Sequence, residues 1–493
     1  MILKLVGHDY KYAAEQIMLM MFPGERPEYA EPVLGTASAV ITVTRRADHV
    51  TASTRLQTAE GAVFRGMSRV SSDKLCGKLE TDRLLQKIIK LSFFRAAVRA
   101  TGQNPAWGAL TGIRPGKLVT AMLERGFSYR RATGALVREY SVSPERAALC
   151  ADTARASLEV KRSLLPLDVC LYIGIPFCPT RCAYCSFVSH SVEKASKLVE
   201  PFLLTLSREI DETAALAGSL GLRVISVYMG GGTPTTLSAE QLDGLLGHLE
   251  NRFDLSSVRE FTVEAGRPDT ITPDKLAVLR SHGVGRISVN PQTMSDRVLE
   301  AIGRRHSAED VLKAAALVRD AGFDGMNMDL IAGLPADSPD GFSDTLDEVL
   351  SLAPENITVH TLSLKRGTRI TLESTEIPSG AEVAEMLDTA ESRLRGAGYV
   401  PYYLYRQKFM SGGFENVGWC LPGHEGLYNI CIMEELCTIL ALGGGGVTKL
   451  VAPESGRIER IFNAKYPYEY IASEEKMSER KDKIREFYEK EFF

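Results

Sequence analysis

The sequence predicts an α/β protein built on a parallel sheet that curls into an open, partial barrel of six strand–helix units. Three observations carry this. Between residues 166 and 375, short apolar runs alternate with longer amphipathic segments. The short runs are rich in β-branched residues, and the segments between them space apolar residues three and four apart. Strand–helix alternation of this kind implies right-handed βαβ crossovers, and six units fall short of the eight that close a barrel.

Residues 1–165 read as a separate N-terminal α/β domain. SAVITVTRRADHVTASTRL (38–56) alternates as a strand pair, and TDRLLQKIIKLSFFRAAVRAT (81–101) has helical spacing. WGALTGIRPGKLVTAML (107–123) reads as a turn-bearing loop opening a helix. There Arg114-Pro115-Gly116-Lys117 is either an anion site at a helix start or a turn with an N-terminal proline.

The six core strands are LYIGIPF (171–177), RVISVYMGGG (223–232), EFTVEAG (260–266), RISVNPQ (286–292), GMNMDLIAGLP (325–335) and NITVHTLSL (356–364). AEQLDGLLGHLENRF and AEDVLKAAALVRDAGF are two of the helices between them. In a parallel sheet, polar residues at strand C-termini converge on one mouth. Cys178, Gly230–Thr233, Glu264, Gln292 and Asp329 all fall at such ends. Residues 376–493 are expected to form a mainly helical C-terminal domain, with GYVPYYLYRQKFM after its first helix and a charged helix at its end.

Composition narrows the class of function. The 493 residues are 44% hydrophobic and 24% charged, ordinary values for a soluble multidomain chain. A net charge of −4 gives no pull toward nucleic acid. No apolar stretch approaches the roughly 20 residues of a membrane span, and the N-terminus has no secretory pattern. Outside residues 178–185 the other six of the nine cysteines are scattered, mostly in apolar runs. That usage suits a reducing compartment, and a cytoplasmic location is expected.

Cys178, Cys182 and Cys185 stand apart, spaced C-x3-C-x2-C directly after the first core strand. An odd trio is not a disulfide framework. Structural zinc closes with four ligands and would need another, such as His190. An iron–sulfur cube held by three cysteines leaves one iron open for another ligand. Phe177, Tyr184 and Phe187 supply apolar cover that favours the cube.

CPTRCAYC, following LYIGIPF, resembles the radical S-adenosylmethionine (SAM) superfamily. The preamble Tyr172-x-x-Ile175-Pro176-Phe177-Cys178 narrows the likeness to the oxygen-independent coproporphyrinogen III dehydrogenase-like family. GGGTPT (230–235), DLIAGLP (329–335) and YRQKFMSGGFENVGW (405–419) support it. TGIRPGKL and EGLYNICIMEE resemble its HemZ-type branch.

The resemblance implies a radical SAM core at 166–375 and a C-terminal coproporphyrinogen dehydrogenase-like domain. It implies a [4Fe-4S] cluster on Cys178, Cys182 and Cys185, with SAM on the open iron. The reduced cluster then cleaves SAM to a 5′-deoxyadenosyl radical, drawing on an unidentified low-potential electron donor. By the same resemblance Gly231, Gly232 and Thr233 meet the SAM amino group, and Arg304 rather than Arg305 meets its carboxylate. Glu264, Gln292 and Asp329 contact ribose or the amino-acid end. Ile331 and Ser363 border adenosine, and Tyr172 and Tyr184 line the cavity. The implied reaction converts two propionates of coproporphyrinogen III to vinyls. Arg267, Lys365, Arg366 and Arg369 are candidates for a basic rim that meets the substrate's carboxylates.

Two positions depart from the family pattern. Phe187 stands where the characterised enzymes place a further cysteine, and Gly174 where they place histidine. Cys185-Ser186-Phe187 instead resembles a haem-chaperone branch. Haem binding and delivery is therefore the alternative function, with Cys420 and His424 as candidate axial ligands. The N-terminal domain is expected to cover the barrel mouth.

Overall fold

The computed structural model describes residues 1–493 apart from 187–189, 366 and 408–412, and apart from the side chains of 190, 191, 193, 194 and 474. The chain forms two compact units. One takes Met1–Pro115 and Ala121–Ala151; the other takes Gly116–Thr120 and nearly all of the chain from Asp152 onward.

In the first unit, strands β1 (Ile2–Val6), β2 (Ser38–Arg45), β3 (His49–Gln57) and β4 (Val63–Ser71) form a sheet in that order. β1 runs parallel to β2 and the remaining pairs are antiparallel. Val50, Ala52 and Leu56, alternate residues of β3, enter a core with Ile17 and Met18 of helix 11–21 and Ile89, Phe93 and Phe94 of helix 78–101. This is the period-2 face against the period-3.6 stripe that the sequence predicts. Gly66 of β4 permits the close approach of helix 78–101, because a Cβ there would lie 2.0 Å from the Ser92 carbonyl oxygen.

In the second unit, β5 (Asp168–Ile175) is followed by the two-residue strands β6 (Phe177–Cys178) and β7 (His190–Ser191). Then come β8 (Arg223–Gly231), β9 (Glu260–Glu264), β10 (Arg286–Ser288), β11 (Gly325–Ala332) and β12 (Asn356–Thr361). β5, β8, β9, β10, β11 and β12 lie side by side in chain order, and every neighbouring pair is parallel. These are the six expected strands. Between them the helices begin on side-chain caps, Ser238 with Gln241 before residues 239–252 and Ser307 with Asp310 before 308–320.

The C-terminal section contains helices 380–396 and 477–491, and it also extends the same sheet. β14 (Glu415–Cys420) pairs antiparallel with β12, and β13 (Val400–Arg406) pairs with β14. At the other side β15 (Thr438–Gly443) runs parallel to β5, followed by β16 (Val447–Ala452) and β17 (Arg457–Phe462). The sheet ends on β13 and β17, so the barrel is open. The unit boundaries differ from those the sequence suggests, 165 and 375, for a physical reason. β15 pairs with β5 from Thr438 opposite Val169 to Gly443 opposite Gly174, which ties the last section into the core. Likewise Ala156 and Val160 of helix 144–163 pack with Tyr402, Cys420 and Ile430.

Glu209 of helix 199–219 anchors this arrangement. Its buried carboxylate accepts hydrogen bonds from the Gly443 amide at 2.8 Å, Asn463 Nδ2 at 3.0 Å and the Tyr470 hydroxyl at 2.6 Å, with Lys481 Nζ at 3.4 Å. Glu209→Ala strands Lys481 without its counter-charge, and urea unfolding should show a loss of about 3–5 kcal/mol.

Candidate active site

The mouth is built at the exit of β5. Past Ile175 the chain enters β6, and the end of β8 crosses beside it. The Gly232 amide donates to the Ile175 carbonyl at 2.8 Å, and the Thr233 amide to the Phe177 carbonyl at 2.7 Å. This crossing explains the glycines. Gly231 has φ +104°, and a Cβ on Gly232 would lie 2.3 Å from the Phe177 carbonyl oxygen. Thr233 Oγ1 lies 3.6 Å from Cys178 Sγ. Gly174 is equally constrained: a Cβ there would meet the Gly444 carbonyl oxygen at 2.8 Å. The glycine turn after β15 thus leaves no room for a histidine at this position.

The cysteine loop is fixed from below. The Cys185 amide donates to the Cys182 carbonyl at 3.2 Å. Between them, Ala183 donates to the Ile302 carbonyl and accepts from the Ile370 amide, inside an apolar cluster with Val298, Leu299 and Leu362. Cys182 is buried, while Cys178 and Cys185 are half-buried. Phe187 lies outside the described residues. His190 pairs through its backbone with Phe177, and its side chain is outside the description.

Two buried guanidinium groups flank Cys182. Arg304 is 8% exposed and donates to the Tyr184 hydroxyl at 3.0 Å and to the Asn290 carbonyl, whereas Arg305 is exposed. Burial works against the Arg304 charge, but Tyr184 and Cys182 hold its pKa above the ordinary value. Tyr184 is itself pushed up by burial, with Arg304 opposing. Arg267 is only 3% exposed; it donates to Thr180 Oγ1 at 3.0 Å, pairs with Asp269, and places Nη1 3.8 Å from Cys182 Sγ. It therefore belongs to the cysteine loop rather than to a basic rim. Of the other rim candidates, Arg369 is exposed beside Glu373, Lys365 is half-buried, and Arg366 lies outside the described residues. His306, which sequence reasoning missed, is buried next to these arginines; burial, then Arg304 and Arg267, lower its pKa to about 3. It is neutral at neutral pH.

The barrel's inner wall is polar. The Tyr228 hydroxyl donates to Glu264 at 2.5 Å, and the Tyr228 ring stacks with Tyr172 and Tyr428. Asn327 Nδ2 donates to Asp329 at 2.8 Å and to Ser288 Oγ at 2.7 Å. His360 Nε2 lies 3.7 Å from the other Asp329 oxygen. Burial and then the nearby Asp329 charge raise Glu264, opposed by Tyr228 and the Gly231 amide, leaving it at about 7. Burial also acts to raise Asp329, but His360, Asn327 and Thr358 outweigh it and hold the pKa below the carboxylate norm. Two neighbouring carboxyls thus differ in charge near neutral pH. Tyr228, Asn327, Thr358 and His360 were not singled out from the sequence, although Asn356-x-Thr358-x-His360 carries the period-2 signal of one strand face.

Gln292 links the wall to the mouth. It holds φ +70°, its amide donates to the Asp329 carbonyl at 2.9 Å, and its carbonyl accepts from the Ile331 amide at 3.0 Å. Gln292 Oε1 and Ser363 Oγ are buried side-chain atoms without a hydrogen-bond partner. Unsatisfied groups of this kind require a polar partner. Three thiols, two buried cations, two carboxyls shifted in opposite directions and unpaired acceptors fit a thiolate-held cluster beside a zwitterionic nucleotide.

Other candidates lie elsewhere. Cys420 pairs with Asn356 at the start of β12, and the His424 carbonyl accepts from Arg286 and Asn356, both at strand N-termini. These two residues sit at the end opposite the mouth, and burial pushes the Cys420 thiol up. At the start of helix 116–124, Lys117 pairs with Glu435, and a Cβ on Gly116 would lie 2.9 Å from the Glu434 carboxylate. The chain supplies its own anions there.

The sequence profile of the Radical SAM superfamily matches residues 172–349. The chain is 41% identical over 375 residues to the oxygen-independent coproporphyrinogen-III oxidase-like protein HemZ of Bacillus subtilis, covering 75% of each chain. It is 34% identical over 250 residues to the heme chaperone HemW of the same organism, covering 50% of this chain and 64% of that one. Among solved structures, coproporphyrinogen III oxidase (HemN) from Escherichia coli shares the fold, with a TM-score of 0.52 at 22% identity over 66% of this chain and 72% of that one. No described helix is long and apolar enough to cross a membrane.

The raised Glu264 pKa has a consequence for stability. Between pH 4.5 and about 7 the folded chain keeps a proton on Glu264 that the unfolded chain has lost. The contribution of Glu264 to stability therefore falls as pH rises through this window and is flat above it. In denaturant unfolding, the stability difference between wild type and Glu264→Gln should drop by up to about 3 kcal/mol across the window.

Proposed function

We propose that this chain, which belongs to the radical SAM superfamily and within it to the oxygen-independent coproporphyrinogen-III oxidase-like family, oxidatively decarboxylates coproporphyrinogen III to protoporphyrinogen IX. One observation carries the reading. The Cys178–Cys185 loop, the Gly231–Thr233 crossing and Arg304 at the mouth, with Glu264 and Asp329 on the inner wall and Gln292 linking the two, occur in a chain 41% identical to a coproporphyrinogen-III oxidase-like protein.

The cofactors of the superfamily are a [4Fe-4S] cluster and SAM; together they supply a carbon-centred radical that removes hydrogen from substrate carbon. The chain's part is to hold, orient and exclude water. On this reading Cys178, Cys182 and Cys185 hold the cluster, and Tyr172 and Tyr184 shield the cavity. Arg304 binds the SAM carboxylate by a charge-assisted pair, and Gly231, Gly232 and Thr233 bring backbone to its amino group. Ionised Asp329, with Gln292 and Glu264, takes the ribose and amino-acid end, while Ile331 and Ser363 border the adenosine. Lys365, Arg366 and Arg369 meet the substrate's propionates, and an external low-potential donor supplies electrons.

Haem binding and delivery is the second reading, favoured by the 34% identity to a heme chaperone. Anaerobic incubation with SAM, reductant and coproporphyrinogen separates the two. Vinyl product supports the enzyme; stoichiometric haem uptake and transfer without product supports the chaperone.

Cys182→Ala should abolish iron–sulfur absorbance and SAM cleavage together, measured after anaerobic reconstitution. Asp329→Asn should retain iron but weaken SAM binding by about tenfold or more, read by equilibrium dialysis.

A further inference from the structure

Away from the mouth, a second set of three thiols meets in the core. Cys170 lies on β5, five residues before that strand's C-terminal end, roughly 16 Å of extended chain. Cys431 lies on helix 427–434, and Cys437 immediately precedes β15. Their sulfurs all lie within 4.8 Å of one another, with Cys170 and Cys437 at 3.7 Å. Their exposures are 0%, 0% and 5%. Two thiolates sharing a metal at a bond length of about 2.3 Å would be separated by roughly 3.8–4.0 Å. The Cys170–Cys437 separation of 3.7 Å already matches that of two sulfurs on one ion, and Cys431 lies within 4.8 Å of both.

The remaining shell decides which ion suits it. Ile225, Leu427, Tyr428 and Ile439 pack around the thiols. The two carboxylates whose charge reaches the thiols are committed elsewhere: Asp168 to Arg223 at 2.6 Å, and Glu260 to Arg286 at 2.8 Å. Zinc in structural sites closes with four ligands. Three soft donors in an apolar shell suit a monovalent d10 ion instead. We infer that Cys170, Cys431 and Cys437 form a buried three-coordinate site for a soft thiophilic cation of the Cu(I) type. Bound there, the ion staples β5, helix 427–434 and the start of β15, and its loading releases the thiol protons.

The test uses the full chain with Cys178, Cys182 and Cys185 replaced by serine, so that the loop cannot take copper. Under anaerobic titration against a chromophoric Cu(I) chelator, this protein should bind one Cu(I) per chain. X-ray absorption should show three sulfur neighbours. A further Cys437→Ala change should weaken binding at least a hundredfold. If that variant does not fold, thiol alkylation and peptide mapping of the triple-serine protein in partly unfolding denaturant should show Cys170, Cys431 and Cys437 protected with Cu(I) and labelled without it. No uptake, nitrogen or oxygen ligands, tighter binding of Zn(II), or equal uptake by folded Cys437→Ala would each overturn the assignment.

Discussion

The mouth depends on one backbone crossing. Two amide hydrogen bonds, Gly232 to Ile175 and Thr233 to Phe177, lock the end of β8 beside the exit of β5. They fix where Cys178 begins its loop and bring Thr233 to its sulfur. Only residues without side chains allow the approach, since a Cβ on Gly232 would stand 2.3 Å from a carbonyl oxygen. The remaining cysteines follow from this placement, because Ala183 between them is pinned by Ile302 and Ile370. Arg304 and Arg267 then put buried positive charge against Cys182.

The open sheet sets the rest of the chemistry. A closed eight-stranded barrel fills its interior with branched apolar side chains. Here Tyr228, Glu264, Ser288, Asn327, Asp329 and Thr358 line the inner face and join through hydrogen bonds, with His360 Nε2 3.7 Å from Asp329. The network separates two neighbouring carboxyls: burial raises Glu264 to about 7, while His360, Asn327 and Thr358 hold Asp329 below the carboxylate norm. The C-terminal section is part of this design. β15 widens the sheet beside β5, its glycine turn fills the space over Gly174, and Glu209 ties it to helix 199–219.

Much of this was legible in the sequence. The strand–helix rhythm located all six parallel strands, because each buries a short apolar run between amphipathic helices. The cysteine spacing and the glycine triplet located the mouth, because both are local constraints. What escaped was long-range. That β15 pairs with a strand some 270 residues earlier is not encoded in any local period. Glu209 looks like a charge on a helix surface until its partners from residues 443–481 surround it. Arg267 looks like a rim cation, yet the Cys178–Cys185 loop folds over it. Spacing in the sequence favours Arg304 over Arg305; in the fold Arg304 is buried and Arg305 exposed, a difference no local period encodes.

The central claim is that three thiolates grip a cluster whose remaining iron is open to SAM. The electron paramagnetic resonance spectrum of the reconstituted, reduced chain tests it most directly, recorded with and without SAM. The account predicts a [4Fe-4S]+ signal whose g-values shift when SAM is added. A signal indifferent to SAM, or no cluster signal in iron-loaded protein, would contradict it.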